Sequence, residues 1–372
     1  MRRPYGATAH PARGEHQPHR RSLTPAHASP HREAYTVNDI PTTTRQIVLA
    51  SRPQGEPTAE NFRLEDAPLA DLQDGQVLVR TSLMSVDPYM RGRMNDVKSY
   101  VPPFQVDQPL TGHAVGTVIA SRSDDLPVGT EVTHFNGWRE HTVLDADDAT
   151  RVDTEQVGQA PYLGVLGMPG LTAYAGLFHV GEFAEGDTVF VSGAAGAVGS
   201  LVGQMAKLAG AGRVVGSAGS PEKLERLRQL GFDAVINYKD GDLGGQLREA
   251  APDGIDLYFD NVGGDHLEAA LSRMNTHGRV VMCGAISQYN ATEPPPAPRN
   301  LALAIGKCLT LRGFVVGAYD HVRAEFLQRV QPWLAHGQLD WDVTERTGLE
   351  NAPDAFLELF SGGNTGKMVV RL

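Results

Sequence analysis

From Arg45 to about Tyr162 the apolar positions fall in short alternating runs, Gln46–Ala50, Gln76–Ser82 and Ala114–Ala120 among them, broken by Gly, Pro and Asp. Period-two alternation bounded by turn residues predicts a β-rich region. From Leu163 onward the runs become continuously apolar, and loops and stretches with helical spacing alternate with them. Thr188–Ser192, Arg213–Val215, Ala234–Ile236, Ile255–Asp260, Arg279–Cys283 and Leu309–Val316 predict six strands. Helices through Val198–Ala209 and Pro221–Leu230 follow the first two, and a helix is expected after each of the next three. Strands alternating with helices build a parallel sheet covered on both faces, and six strands suit a dinucleotide-binding fold. A last helix, about Val322–Ala335, precedes a tail, Leu339–Leu372, whose ending Lys367–Leu372 reads as a strand. The chain is thus expected to be α/β: a β-rich domain over 41–162, completed by 339–372, and a doubly wound domain over 163–338.

Residues 1–40 stand apart, with five histidines, six arginines, repeated Pro and almost no apolar periodicity. They read as a disordered leader. A transit peptide or an upstream mis-set start is the alternative, although no amphipathic stripe is present. The histidines are expected to be solvated and not to bind metal.

Composition narrows the function. A length of 372 residues with 41% apolar content fits two domains. A formal net charge of -11 argues against a nucleic-acid partner, because phosphate binding draws on clustered Lys and Arg. The cysteines are Cys283 and Cys308, which excludes a disulfide framework and a Cys-built zinc site and suits a reducing cytoplasm. No uninterrupted apolar stretch is long enough to suggest a membrane span, and no membrane partner is expected.

The most informative segment is the run into Gly193, Ala194, Ala195, Gly196, Ala197, Val198, Gly199 and Ser200. Small residues let the backbone approach a pyrophosphate, whose charge then meets the unpaired amides and positive end of the helix starting near Val198. Against the dinucleotide fingerprint, Ala194 takes the first glycine place, while Gly196 and Gly199 keep the second and third. At the end of strand two an NAD enzyme would carry an Asp or Glu for the ribose 2′-hydroxyl. Here stand Gly216, Ser217, Ala218, Gly219 and Ser220, with Lys223 just inside the next helix. Nothing there repels a 2′-phosphate, so NADPH is favoured over NADH; an ordinary solvated lysine is the alternative for Lys223.

The order of domains resembles the medium-chain dehydrogenase/reductase superfamily. Its zinc alcohol dehydrogenases have an early Cys, a Gly-His-Glu segment and a four-Cys loop. This chain has Gly112, His113, Ala114 in the comparable stretch and no Cys before Cys283, so no metal is expected and His113 reads as a packing or hydrogen-bonding residue. Five strings are similar to the leukotriene B4 dehydrogenase/prostaglandin reductase family, which includes plant alkenal double-bond reductases and bacterial curcumin reductases. They are Ser85-Val86-Asp87-Pro88-Tyr89-Met90-Arg91, Gly167-Met168-Pro169-Gly170-Leu171-Thr172-Ala173-Tyr174, Phe259-Asp260-Asn261-Val262-Gly263-Gly264, Cys283-Gly284-Ala285-Ile286-Ser287-Gln288-Tyr289 and Gly363-Asn364-Thr365-Gly366-Lys367.

The resemblance implies a GroES-like catalytic domain joined to a Rossmann domain, and it implies roles for residues. Gly196, Ala197, Val198 and Gly199 would hold the pyrophosphate, Lys223 the 2′-phosphate, and Tyr238 would assist at the adenine end. Asn261 and the loop Cys283, Gly284, Ala285, Ile286, Ser287, Gln288 and Tyr289 would line the nicotinamide half. Phe314, Val315 and Val316 would flank the ring, and Asn364 would reach it. Tyr89 and Met168 would shape the substrate pocket, and Tyr289 would be the catalytic residue. Asn261 could instead make an Asx turn, and Phe314–Val316 could be core strand. Gln288 stands where many relatives carry a smaller hydroxyl residue, which bears on substrate preference.

The implied activity is NADPH-dependent reduction of the carbon–carbon double bond of α,β-unsaturated ketones or aldehydes, by hydride transfer to the β-carbon. The partner is then a small enone or enal, and a homodimer is implied. The rivals are quinone reduction, as in the ζ-crystallin-like branch, and a non-catalytic NADPH-binding protein.

Overall fold

A computed structural model describes residues 40–155 and 157–372, and the expected leader lies outside them except for Ile40. The β-rich half opens with β1 (Thr43–Leu49) and β2 (Phe62–Pro68), an antiparallel pair. There follow β3 (Gln76–Ser85), the one-turn helix α1 (Met90–Arg93), β4 (Ala114–Ser121), β5 (Glu131–His134), β6 (His141–Asp145) and β7 (Thr150–Arg151). Beyond α2 (Met168–Tyr174) the pattern becomes strand and helix: β8 (Thr188–Val191), α3 (Gly199–Leu208), β9 (Arg213–Ala218), α4 (Pro221–Gln229), β10 (Ala234–Asn237), α5 (Leu243–Ala250), β11 (Ile255–Asp260), α6 (Gly264–Arg273) and β12 (Met274–Met282). The last elements are α7 (Leu303–Gly306), β13 (Thr310–Gly313), α8 (Arg323–Ala335), β14 (Val343–Thr347), α9 (Ala352–Ser361) and β15 (Lys367–Arg371).

Strands β8 to β13 form one six-stranded parallel sheet in the order β10-β9-β8-β11-β12-β13. Neighbouring residues on each strand feed different cores. Val189, Val191, Val214, Leu257, Phe259 and Val281 pack on one face, and Phe190, Val215, Tyr258 and Val280 on the other. Burial on both faces is why these strands read as unbroken apolar runs, in contrast to the alternation of the first half. The strand order reverses between β8 and β11, and an open α/β sheet binds ligands beyond the carboxyl ends at such a switch point.

The other large sheet runs β14-β15-β3-β4-β5-β7, with β6 on β3. Its β15 pairs antiparallel with β3 and parallel with β14. Phe356 of α9 and Met368 and Val370 of β15 share one apolar cluster with Ile47, Leu49, Phe62, Met84 and Trp138. Residues 343–371 are therefore part of the first sheet and its core.

The structure corrects three expectations. The last parallel strand is Thr310–Gly313 and not Leu309–Val316, because β12, its partner, ends at Met282 opposite Gly313 and leaves Phe314, Val315 and Val316 nothing to pair with. Val315 is 40% exposed, so the reading of these three residues as core strand fails. The helix expected after the fifth strand shrinks to the single turn α7, and the tail carries β14 and α9 as well as the strand at its end.

Candidate active site

The glycine loop leaves β8 in the middle of the parallel sheet. The Ala194 amide is tied to Ser217 O of β9 (2.9 Å), which fixes the loop at the crevice. A Cβ on Gly199 would stand 2.5 Å from Gly193 O and 2.8 Å from Ala194 Cα, so only glycine lets α3 begin against the loop. That helix starts at Gly199, one residue after Val198. Gly196 differs: a Cβ there would meet Gly193 O at 3.3 Å and otherwise open space. The Gly196–Gly366 bridge turns the Ala197 amide toward the Gly366 carbonyl, while the Val198 amide donates to no acceptor among the described residues. Open space over Gly196, the unpaired Val198 amide and a helix N-terminus together fit a pyrophosphate.

At the end of β9, Ser217 is fully buried and its hydroxyl has no partner among the described residues. Ser220 caps α4 by accepting from the Lys223 amide (3.4 Å), with Pro221 at the first helical position. That cap aims the Lys223 side chain toward the C-terminal segment, where Nζ donates to Gly362 O (2.9 Å). Burial, and then the nearby Lys239, lowers the Lys223 ammonium. Among the described residues neither lysine is ion-paired. Two cations without a carboxylate suit a bound dianion. The Tyr238 hydroxyl lies against Gly219, and its ring meets His266 edge-on at 5.3 Å. Lys223 and Tyr238 are thus brought to the same end of the crevice; Lys239, directly after Tyr238, was missed because an exposed lysine in a polar turn has no pattern of its own.

Beyond β11 the buried Asp260 organises the crevice floor. Its Oδ1 accepts from Ser192 Oγ (3.0 Å), the Tyr258 hydroxyl (2.6 Å) and the amides of Val262 (2.9 Å) and Gly263 (2.8 Å). Four donors on one oxygen compensate a buried carboxylate. Asn261 donates from Nδ2 to Ser192 O (2.8 Å), which joins the ends of β8 and β11, in place of the Asx turn held open above. The loop after β12 is pinned to this floor: the Cys283 and Gly284 amides donate to Asp260 O (2.9 and 3.0 Å), Ile286 to Asn261 O (3.3 Å) and Ser287 to Val262 O (3.2 Å). Burial pushes the Cys283 thiol up to about 12, which makes it a poor nucleophile. The Tyr289 hydroxyl accepts from the Ala285 amide (3.3 Å), leaving its proton unused. Burial, rather than any charge, is the main cause that raises the Tyr289 phenol, so it is protonated at neutral pH.

Tyr89 stands at the start of α1, whose Arg91 donates to Asn290 just past this loop, and its phenol is raised chiefly by burial and next by Asp87. Arg93, one turn on, donates to Thr111 O (3.2 Å) and lies 3.9 Å over the Phe104 ring. Tyr100 was not foreseen. It is 62% exposed, yet lies close enough to Tyr89 and Tyr289 to raise both phenols, and burial and then Cys283 raise its own. A lone Tyr in the polar run Asn95–Tyr100 gives no signal that a domain faces it.

Met168 is the first residue of α2, half-buried, its carbonyl accepting from Thr172 Oγ1 (2.7 Å). Phe314 sits beside Gly176 and meets Tyr319 edge-on at 5.8 Å. Asn364 donates to Gly366 O (2.8 Å), while the Gly366 amide donates to Ala195 O (2.8 Å) and so lays this segment on the glycine loop. His113 packs its ring edge-on against Phe135 (4.9 Å) beside the fully buried Ala114. No group of three or more His, Cys, Asp or Glu among the described residues could hold a metal ion, and this donor set does not fit zinc.

A doubly wound parallel sheet with a glycine loop, joined to a β-rich domain that takes strands from the C-terminal segment, defines the medium-chain dehydrogenase/reductase class. Residues 45–152 match the family described as N-terminal domain of oxidoreductase, and residues 197–332 that described as zinc-binding dehydrogenase. The NADPH-dependent curcumin reductase of Escherichia coli (strain K12) is 42% identical over 334 residues, 88% of this chain and 96% of that protein. Prostaglandin reductase 1 of Mus musculus is 41% identical over 323 residues, 86% of this chain and 96% of that protein. CurA from Vibrio vulnificus in complex with NADPH has a similar structure, with a TM-score of 0.84 and 43% identity, covering 88% of this chain and 98% of that one. The chain belongs to the zinc-independent branch of the superfamily that holds these curcumin and prostaglandin reductases.

Proposed function

We propose that this chain reduces the carbon–carbon double bond of α,β-unsaturated ketones and aldehydes with NADPH. It is an NADP-dependent oxidoreductase. The observation that carries the substrate class is Tyr289: a protonated phenol whose acceptor side is occupied by the Ala285 amide, in a loop near Tyr100. Such a hydroxyl can donate to an oxygen that gains negative charge, which is what a conjugated carbonyl oxygen does when the β-carbon accepts hydride. Asn261 and Cys283–Tyr289 line the nicotinamide half with Phe314–Val316 and Asn364, Gly196–Gly199 hold the pyrophosphate, and Lys223 with Tyr238 holds the 2′-phosphate end. When bound, NADPH supplies the hydride. Tyr89 and Met168 shape the slot, the rings excluding water from the reacting carbonyl. Catalysis needs no metal.

Residues 41–162 with 339–372 form the catalytic domain, and 163–338 the NADP-binding one. The outer edge of β13, unpaired among the described residues and beside the exposed Leu301, Leu303 and Ile305, supports a homodimer joined strand to strand. Among the described residues no helix is long and apolar enough to cross a membrane, and both cysteines are free, which suits the cytoplasm.

Steady-state NADPH oxidation with a panel of enals, enones and quinones, in the presence of EDTA, tests the reading. Turnover of the enals and enones is expected. Turnover of quinones alone would make the chain a quinone reductase, and turnover of none a binding protein.

Lys223→Ala is expected to raise KM for NADPH far more than KM for NADH, by about 1–3 kcal/mol, the usual worth of a charge-assisted hydrogen bond. Loss of the Gly362 contact acts on both cofactors alike, so the ratio of the two KM values is the measurement. An unchanged ratio would place Lys223 away from the 2′-phosphate.

A further inference from the structure

The two aromatic walls of the cleft are joined by one guanidinium. Arg91 lies in α1, two residues after Tyr89, and is 2% exposed. Its Nη2 donates to Gly55 O (2.7 Å), its Nη1 to Asn95 Oδ1 (2.9 Å) and its Nε to Asn290 Oδ1 (3.1 Å). All three acceptors are neutral. Burial lowers Arg91 from the ordinary arginine range, and no carboxylate among the described residues pairs with it. Burying a cation among neutral acceptors is costly, so the arrangement is poorly explained as a stability device alone. Two of the three bonds stay within the β-rich half, and the third reaches the residue directly after Tyr289. The Gly55 turn seals the same place: a Cβ on Gly55 would stand 3.3 Å from Thr292 Cγ2 and 3.8 Å from Asn290 O.

We propose that Arg91 is a positioning residue: through Asn290 it holds the Cys283–Tyr289 loop against α1 and so fixes the separation of Tyr89 and Tyr289. The slot between the two tyrosines is then set by a hydrogen bond across the cleft, and not by the loop's own stiffness. The part of this inference that concerns turnover rests on Tyr289 donating to the substrate oxygen.

Asn290→Ala removes the acceptor while leaving Arg91 its bonds to Gly55 and Asn95, and Asn290→Asp keeps an acceptor and adds a carboxylate beside an unpaired guanidinium. Both are made in the full chain and measured in two ways: amide hydrogen exchange over residues 283–292 without substrate, and single-turnover NADPH oxidation by 2-cyclohexenone. Asn290→Ala should exchange about tenfold faster there and transfer hydride about tenfold more slowly, as expected for loss of one hydrogen bond from a charged donor. Its NADPH Kd should hold, and Asn290→Asp should recover both properties. Unchanged exchange in Asn290→Ala overturns the bridge whatever the wild type reduces. Faster exchange with unchanged hydride transfer overturns the positioning role, and an Asp variant as impaired as Ala removes Arg91 from it. A wild type that reduces no enone defeats the proposed function instead, and the exchange data still decide the bridge.

Discussion

Lys367→Met is expected to cost about 3–5 kcal/mol of folding free energy, the usual penalty for removing one partner of a buried ion pair. The Lys367 ammonium is 3% exposed, lies 3.0 Å from Asp87 Oδ1, and donates to Val86 O and Met368 O (both 2.8 Å). Asp87, 5% exposed, also accepts from Ser85 Oγ. Methionine keeps most of the volume, so the loss measures the charge left behind on Asp87 and the orphaned Val86 carbonyl, Met368 O keeping the Val86 amide (3.4 Å). Denaturant unfolding of Lys367→Met, Asp87→Asn and the double variant checks this. The double variant should lose clearly less than the sum of the singles, because the second change removes the isolated charge. A single-variant loss below about 1 kcal/mol, the worth of a surface pair, would mean that water reaches the site. The pair also ties β15 to the turn carrying Tyr89, so a folded Lys367→Met should bind enone more weakly than NADPH binding alone would suggest.

Tyr289→Phe should slow hydride transfer by about 1–3 kcal/mol, roughly fivefold to 150-fold, since it removes a donor aimed at developing charge. The ring stays, so the slot keeps its shape. The Ala285 amide also loses its acceptor, which should lower Tm modestly and makes NADPH Kd the necessary control. With Kd held, kcat and kcat/KM should fall together in single-turnover measurements at saturating NADPH. An unchanged hydride-transfer rate would leave Tyr289 as pocket lining.

The parallel sheet was legible because both of its faces are buried: Val189 and Phe190, or Leu257 and Tyr258, point opposite ways into apolar cores and leave an unbroken run in the sequence. The glycine loop was legible for a related reason, since close backbone approach at Gly199 admits no other residue. Phe314–Val316 were misread because apolar composition cannot tell where an edge strand loses its partner. β14 escaped because its burial is only partial, as expected for an edge of the sheet. What stayed hidden in the site is whatever depends on segments far apart in the chain. Arg91 meets Asn290 across 199 positions and Lys367 meets Val86 across 281. Tyr100 and Lys239 likewise matter only for what stands opposite them, and neither belongs to a periodic pattern.

The seating of β15 beside β3 has a consequence for how the protein is made. Residues 41–151 leave the ribosome well before the C-terminal segment, and their sheet lacks two strands and one wall of its core until residues 343–371 have followed. The domain encoded first must therefore be the last to close. During synthesis the β3 edge and the apolar faces of Met84 and Phe62 wait uncovered while the parallel sheet between them and their partners folds, a window in which a nascent strand edge is open to wrong pairing. Long-range closure of this kind is slow. Yield in a cell should then depend on translation pace through residues 163–338, and on chaperones that shelter an exposed strand, more than on the final stability of either domain.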